Sequence, residues 1–293
     1  MLDKMLLIIG IILPIISAKI SINISNGNNE TDVIVEYSGY DIHVINNEDI
    51  KLFNLNQLYL KEAVRRFYKI RPQSVYLKSP TPWNDLYKIN DWEQVSRILS
   101  VKSAKLKINN KQNTVVLSQD FENYSNSTIK VNTALSQSVE NSISTSWSVS
   151  KEWSVSQQFE YDVNVIFAKI AGTTGFTWTS NWGKSEEKSE TFTIGATSSV
   201  ETELKPGQAV TAILTGNRRV LEIEVVYAAT LRGNVVVNFK KSFRGHHFYG
   251  PSIVSVLNTA GMDTEKLITE NIKVGVYIDH SLKVFDKATG LPL

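Results

Sequence analysis

Four histidines, a group of aromatics and three dibasic pairs are the side chains best suited to chemistry in this chain. Two histidines are adjacent in Arg244-Gly245-His246-His247-Phe248-Tyr249-Gly250-Pro251, where they suit an acid-dependent switch, a share in a metal site or an ordinary loop. With only His43 and His280 elsewhere and no cysteine, no metal-ligand spacing emerges, and no metal or other cofactor is expected. A Gly-x-Ser-x-Gly elbow, His-Glu-x-x-His, a phosphate-binding glycine loop and a cysteine nucleophile are all missing, so an enzyme is not expected. Trp83, Tyr87 and Trp92 stand near Asn84, Asp85 and Asp91. Aromatic faces beside polar groups suit a receptor glycan or a lipid headgroup, and a place in the core accounts for them as well. Arg65-Arg66, Arg218-Arg219 and Lys240-Lys241 read either as activation cleavage sites or as ordinary surface pairs. Glycosylation sequons begin at Asn23, Asn29, Asn123 and Asn126, and each is an acceptor only where its backbone is exposed.

The elements that position these groups are mostly strands. From Thr133 to Phe167 odd positions carry Leu135, Val139, Ile143, Trp147, Val149, Trp153, Val155, Phe159, Tyr161, Val163, Val165 and Phe167. Even positions carry serines at 136, 138, 142, 144, 146, 148, 150, 154 and 156, followed by Glu160, Asp162 and Asn164. Period two sends apolar groups to one face and polar groups to the other. At about 3.3 Å per residue the run extends roughly 100 Å, far beyond an ordinary strand. Lipid on one face and water on the other explain that length; so does the exposed sheet of an elongated secreted β-protein.

The N-terminus, Leu6 to Ile16 followed by Ser17-Ala18, reads as a secretory signal peptide over 1–18, too short to be a spanning helix. The protein is therefore expected outside the cell. Net charge is +2 and no basic patch stands out, so nucleic acid is not an expected partner. A secreted chain without cysteine either has a core large enough to need no staple, or contains a segment that must move.

Residues 19–117 read as an α+β region, with a strand at Val33–Tyr37, a short amphipathic helix at Gln57–Tyr68 and extended chain from Val95 to Ile108. Helical patterning then almost vanishes. A turn near Lys169–Gly172 leads to a second alternating strand with Phe176, Trp178 and Trp182 on one face. Antiparallel pairing about that turn sets Trp178 against Val163 and Trp182 against Phe159, so both apolar sets share a face. Gly216-Asn217 reads as a hairpin turn between strands Val210–Leu214 and Val220–Tyr227. The end, 251–293, holds a moderate β pattern around Lys273–Ile278.

The Ser/Thr-rich strand, the apolar-tipped hairpin, the return strand ending Trp178-Thr179-Ser180-Asn181-Trp182-Gly183-Lys184, then Glu190–Ile194 and Lys205-Pro206-Gly207-Gln208-Ala209-Val210 resemble aerolysin-like β-pore-forming proteins of the epsilon-toxin/Mtx2 branch. The match covers about Ser118 to Phe239. The remainder is also similar to insect spherulin-2A-like or follicular-epithelium yolk proteins. The resemblance implies a mainly β, elongated molecule: a long twisted antiparallel sheet with an amphipathic pre-stem hairpin, plus a small α+β N-terminal region. It divides the chain into a recognition region at 19–117, a pore-forming module at 118–250, and a C-terminal β segment or propeptide at 251–293.

As function, the resemblance implies binding to a membrane receptor or glycan, assembly into a homo-oligomeric ring, and insertion of hairpins as a transmembrane barrel in the target membrane. Mapped onto this chain, the hairpin is Trp147–Trp182. Its lipid face is Val155, Phe159, Tyr161, Val163, Val165, Phe167, Phe176, Trp178 and Trp182, with Trp147 and Trp153 at the interface. Glu152, Glu160, Asp162 and Glu187 then line the lumen, an arrangement that favours cations. Lys151 and Gln157 interrupt the apolar parity. The other reading is a non-lytic structural or storage protein, of yolk or coat type, that keeps the fold.

Overall fold

The computed structural model describes residues 18–27, 32–148, 160–169, 172–195 and 199–293. Strands β1 (Ala18–Asn26) and β2 (Val33–Val44) lead into helices α1 (Asn47–Leu52) and α2 (Gln57–Tyr68). A short β3 (Ser74–Tyr76) and α3 (Pro82–Ile89) precede the 27-residue β4 (Ser96–Glu122). Next come β5 (Ile129–Ala134), β6 (Gln137–Ser148), β7 (Glu160–Lys169), β8 (Gly172–Asn181), β9 (Glu187–Ile194) and β10 (Ser199–Leu204). The 24-residue β11 (Ala209–Arg232), β12 (Val236–Phe243), β13 (His246–Tyr249), α4 (Ile253–Ala260) and the 22-residue β14 (Glu265–Asp286) follow.

Local chemistry sets the helices. Asn46 accepts the backbone N–H groups of Glu48 and Asp49, and Asp49 accepts that of Asn46, a reciprocal cap that starts α1. Asn56 caps α2, which buries Leu60, Ala63 and Val64 and stops at Lys69 in the left-handed conformation (φ 64°). The bounds of α2 are those expected from its periodicity. Helix α4 lies where helical patterning was expected to have vanished; its eight residues are too few to stand out as a period.

The main sheet has nine strands in the order β8-β7-β1-β2-β4-β11-β14-β6-β9. Every neighbouring pair is antiparallel except β1 and β7, which run parallel. It is the long sheet with a pre-stem hairpin that the resemblance implies. Strand β4 passes straight through position 117, so the division expected there falls inside a strand paired with β11 on both sides of it. Strand β14 pairs with β11 and β6, so cleavage at Lys240-Lys241 would strip a central strand from the sheet.

Gly216-Asn217 is no turn. Strand β11 runs through it, and a register shift between Asn217 and Arg218 marks a β-bulge. Gly216 packs so close to Tyr277 and Val116 that a Cβ would crowd both. A glycine inside a strand pattern signals such a bulge as well as a turn. The extra residues lie on the neighbours, Ile278 of β14 and Val116 of β4, while β11 pairs without a gap and keeps its alternation. Val210, Ala212 and Leu214 therefore face one side of the sheet and Leu221, Ile223 and Val225 the other, each set in its own core cluster.

Strands β13, β12 and β3 form a separate three-stranded sheet, which with α2 and α4 makes a head at one end of the long sheet. The end is fixed by chain direction: β11 feeds from Arg232 into β12, and β14 begins at Glu265, opposite Thr230, soon after α4. Strands β5 and β10 pair as a ribbon at the far end, near Leu204, Val210 and Val284. The main sheet also rolls on itself. Its two outermost strands meet through side chains, with Lys188 donating to the Thr179 carbonyl and Phe176 lying 6.1 Å from Phe192.

Candidate functional site

Strands β7 and β8 form the amphipathic hairpin, paired from Glu160↔Asn181 to Lys169↔Gly172. Trp178 stands opposite Val163, as pairing about the turn requires. Tyr161, Val163, Val165, Phe167, Trp178 and Trp182 are buried in the main core, and Phe176 packs against it. Burying such side chains stabilises by about 1.5–3 kcal/mol each, so this face holds the hairpin down by something on the order of 10 kcal/mol.

Two charged side chains lie beneath that apolar face. Glu270 of β14 is fully buried and accepts hydrogen bonds from the hydroxyls of Tyr161 on the hairpin and Tyr227 on β11, the latter at 2.7 Å. Burial pushes its carboxyl up to about 7, against the lowering effect of the two tyrosine donors. Trp147, Trp182 and Tyr227 wall in the pair, with Trp147 stacked on Tyr227 at 5.5 Å and edge-on to Trp182 at 4.5 Å. Nearer the hairpin tip, buried Arg219 of β11 donates to Asn26 at 3.0 Å, and its guanidinium lies 5.5 Å from the Phe167 ring centroid.

The opposite face of the hairpin is polar and is clasped by β1. Ser21–Ser25 pair with Asp162–Ile166, Lys19 bridges to Asp162 at 2.7 Å, and Asn164 donates to both Ser21 and Asn23 at 2.8 Å. Glu160 and Glu187 are exposed, and Asp162 is half-buried under Lys19 and Thr179. Trp147 sits half-buried in the aromatic box and donates to the Lys184 carbonyl at 3.0 Å. Glu152, Trp153, Val155, Phe159 and Asn29 lie outside the described residues, as do Lys151, Gln157 and all of the expected leader except Ala18.

Other expected sites change character. Tyr87 is buried, its hydroxyl donating to the carbonyls of Tyr76 and Asn234, so it belongs to the core and offers no face to a ligand. Trp92 is half-buried and lies against Gly250, where a Cβ would strike its ring. Trp83 alone of the three is exposed, tilted on Phe248 in backbone with positive φ from Trp83 to Asp85. Asn123 is sealed from solvent with its amide donating to Ser127 and Leu204, which rules it out as a glycan acceptor in this fold. Asn126 is exposed, and Asn23 is half-buried in the β1–β7 clasp. His247 meets the Phe239 carbonyl at 2.9 Å, and among the described residues no group of three or more His, Cys, Asp or Glu is placed to hold a metal ion.

A compact ionic cluster joins β2, α1 and β4. His43 meets Asp49 at 2.8 Å, and Arg97 meets Asp41 at 2.8 Å and Asp49 at 3.5 Å. Burial alone would lower the histidine, but hydrogen bonds to Asp41 and Asp49 outweigh it and the net shift is upward.

Glu270, Tyr227 and the β1 clasp were not singled out from sequence, and Arg219, read there as half of a cleavage site or surface pair, is instead buried within a strand. A signal did exist: Glu270 shares the inward parity of Ile268, Ile272 and Val274, and Arg219 that of Leu221 and Ile223. A charge in phase with apolar neighbours marks a buried group.

No family model matches the chain. It is 32% identical over 263 residues to U-megalopygitoxin(8)-Mc8 of Megalopyge crispata and 31% identical over 263 residues to U-megalopygitoxin(8)-Mo12 of Megalopyge opercularis, covering 90% of each chain in both cases. In fold it is similar to the crystal structure of parasporin-2, a Bacillus thuringiensis toxin that recognizes cancer cells. The TM-score is 0.55 at 14% identity, over 84% of this chain and 97% of that one.

Proposed function

The chain belongs to the U-megalopygitoxin(8) family and carries an aerolysin-like fold, and on that premise we propose that it is a secreted pore-forming toxin acting without catalysis. It docks on a target membrane, assembles with copies of itself and inserts the β7–β8 hairpin into a shared barrel. The observation that carries this reading is the hairpin: one face mostly apolar and packed on the core, with Ser180 its buried polar exception, the other mostly polar, at the edge of the sheet and folded back along it. A lone hairpin cannot cross hydrocarbon, because each unpaired backbone group there costs several kcal/mol. A ring of hairpins closes the sheet and satisfies them all. In that barrel Tyr161, Val163, Val165, Phe167, Phe176 and Trp178 face lipid, and Glu160 and Asp162 face water.

A reversible lock tests the motion. The chain has no cysteine of its own, and Asn23 and Asn164 meet side chain to side chain, so Asn23→Cys with Asn164→Cys ties the hairpin to β1. Dye release from liposomes or cell membranes should stop on oxidation and return on reduction. Leakage unaffected by the oxidised cross-link would overturn the hairpin as the inserting element. No leakage or oligomer on any membrane would favour the non-lytic storage reading instead.

A further inference from the structure

We propose that the free end of the β12–β13 hairpin, together with the loop after α2, is a docking surface for an anionic lipid bilayer. Exposed Lys240, Lys241 and Arg244 stand at that end, and exposed Lys69 and Arg71 flank Ile70 in the neighbouring loop. Neither stretch, 63–73 or 234–250, contains a carboxylate. Among the described residues none of the five cations makes an ion pair, whereas most lysines along the sheet do, as in Lys107–Glu224 and Lys273–Glu222. Sequence alone hid the patch, because its halves lie some 170 positions apart and the net charge is only +2.

The two halves are welded into one rigid surface. The Tyr68 ring, at the end of α2, contacts Phe239 at 5.5 Å, Phe243 at 5.8 Å and Tyr249 at 5.3 Å, and Arg244 lies over Phe243 at 5.1 Å. Exposed cations and an exposed isoleucine over an aromatic platform suit a headgroup layer: the cations meet lipid phosphates and Ile70 meets the acyl boundary.

Chain direction favours a bilayer over a soluble polyanion. Strand β6 runs toward the head, since Ser142 pairs with Gly275 and Ser148 with Thr269, at the head end of β14. Strand β7 then runs back, away from the head, parallel to β1. Straightening that reversal sends the hairpin past the head end of the molecule. A bilayer held on the patch is then the surface the hairpin meets, a step that rests on the pore-forming reading above.

The test is co-sedimentation of the full chain with phosphatidylcholine vesicles, with and without phosphatidylserine, over a salt series. Binding is expected only to the anionic vesicles and is expected to fall steeply with salt. Each cation near an anionic surface contributes about a five-fold factor, so Lys240→Gln with Lys241→Gln should weaken binding on the order of 20-fold. Lys69→Gln with Arg71→Gln should do the same and keeps the question open to test if the first variant fails to fold. Lys111→Gln, on an exposed lysine of β4, should bind as the parent does. Equal binding to neutral vesicles, or equal loss with Lys111→Gln, would overturn the proposal. Retention on heparin without vesicle binding would overturn it in favour of a sulfated glycan. Salt-sensitive vesicle binding without dye release would sustain the docking surface while removing the pore.

Discussion

The Tyr161 hydroxyl on the hairpin donates to the Glu270 carboxyl on β14, 109 positions away in sequence, and both side chains are sealed from solvent. It ties the hairpin to the sheet through a group that titrates. Because the buried carboxyl holds its proton up to about 7, against 4.5 when exposed, folding takes up a proton between those values. The stabilisation is fully present below about pH 4.5 and is lost as pH rises through about 7. The loss amounts to about 3 kcal/mol.

Glu270→Gln cannot ionise and should remove that dependence. Urea midpoints taken between pH 5 and pH 8 should show the parent losing stability relative to the variant as pH rises. Parallel curves for the two would sink the assignment.

Arg219 makes a second prediction. Replacing it with alanine removes the guanidinium from the Phe167 ring and from Asn26, and leaves a void beneath the hairpin tip. A loss of about 2–4 kcal/mol is expected. It should appear as a lower urea midpoint and faster proteolysis within the hairpin. Faster cleavage elsewhere, with the hairpin protected, would contradict it.

The lumen assignment is tested by current. Glu160→Gln with Asp162→Asn removes two carboxylates per chain from the water-facing side of the hairpin. In planar bilayers under a salt gradient, the cation-directed reversal potential should shrink toward zero. Anion preference in the parent would refute the assignment outright.

The His43 cluster predicts a stability effect away from the hairpin. Arg97→Ala leaves Asp41 and Asp49 without their buried partner and should cost about 3–5 kcal/mol. The raised pKa of His43 makes its own contribution complete below about pH 6.5 and lost as pH climbs through the raised value. In Asp49→Asn that part of the pH profile should flatten, read by thermal melts across pH 5–8.

The hairpin was legible because period two over many residues has few other causes, and an antiparallel turn fixes its register by arithmetic alone. Helix α2 was legible through spacing. What escaped depends on distant partners. Gly216 carries the same local preference in a turn and in a bulge, and only strands β4 and β14 on either side decide between them. Tyr87 was ambiguous because an aromatic ring serves a core as well as a ligand, and two carbonyls, one of them 147 positions away, claim its hydroxyl. The basic patch was invisible because charge was judged along the chain, whereas Tyr68 assembles it across the fold.

The parallel pairing of β1 with β7 also sets an order of assembly during synthesis. Strand β1 emerges early and can pair with β2 at once, but Asp162, the partner of Lys19, follows 143 positions later. Closing so long a loop is slow beside local pairing. The nascent chain therefore pairs β1 with β2 first and presents an open β1 edge until the hairpin arrives, while β11 and β14, on which the hairpin packs, are still to be made. Seating of the hairpin becomes one of the last events of folding, and a chain stalled before it carries its stickiest surface uncovered inside the cell that makes it.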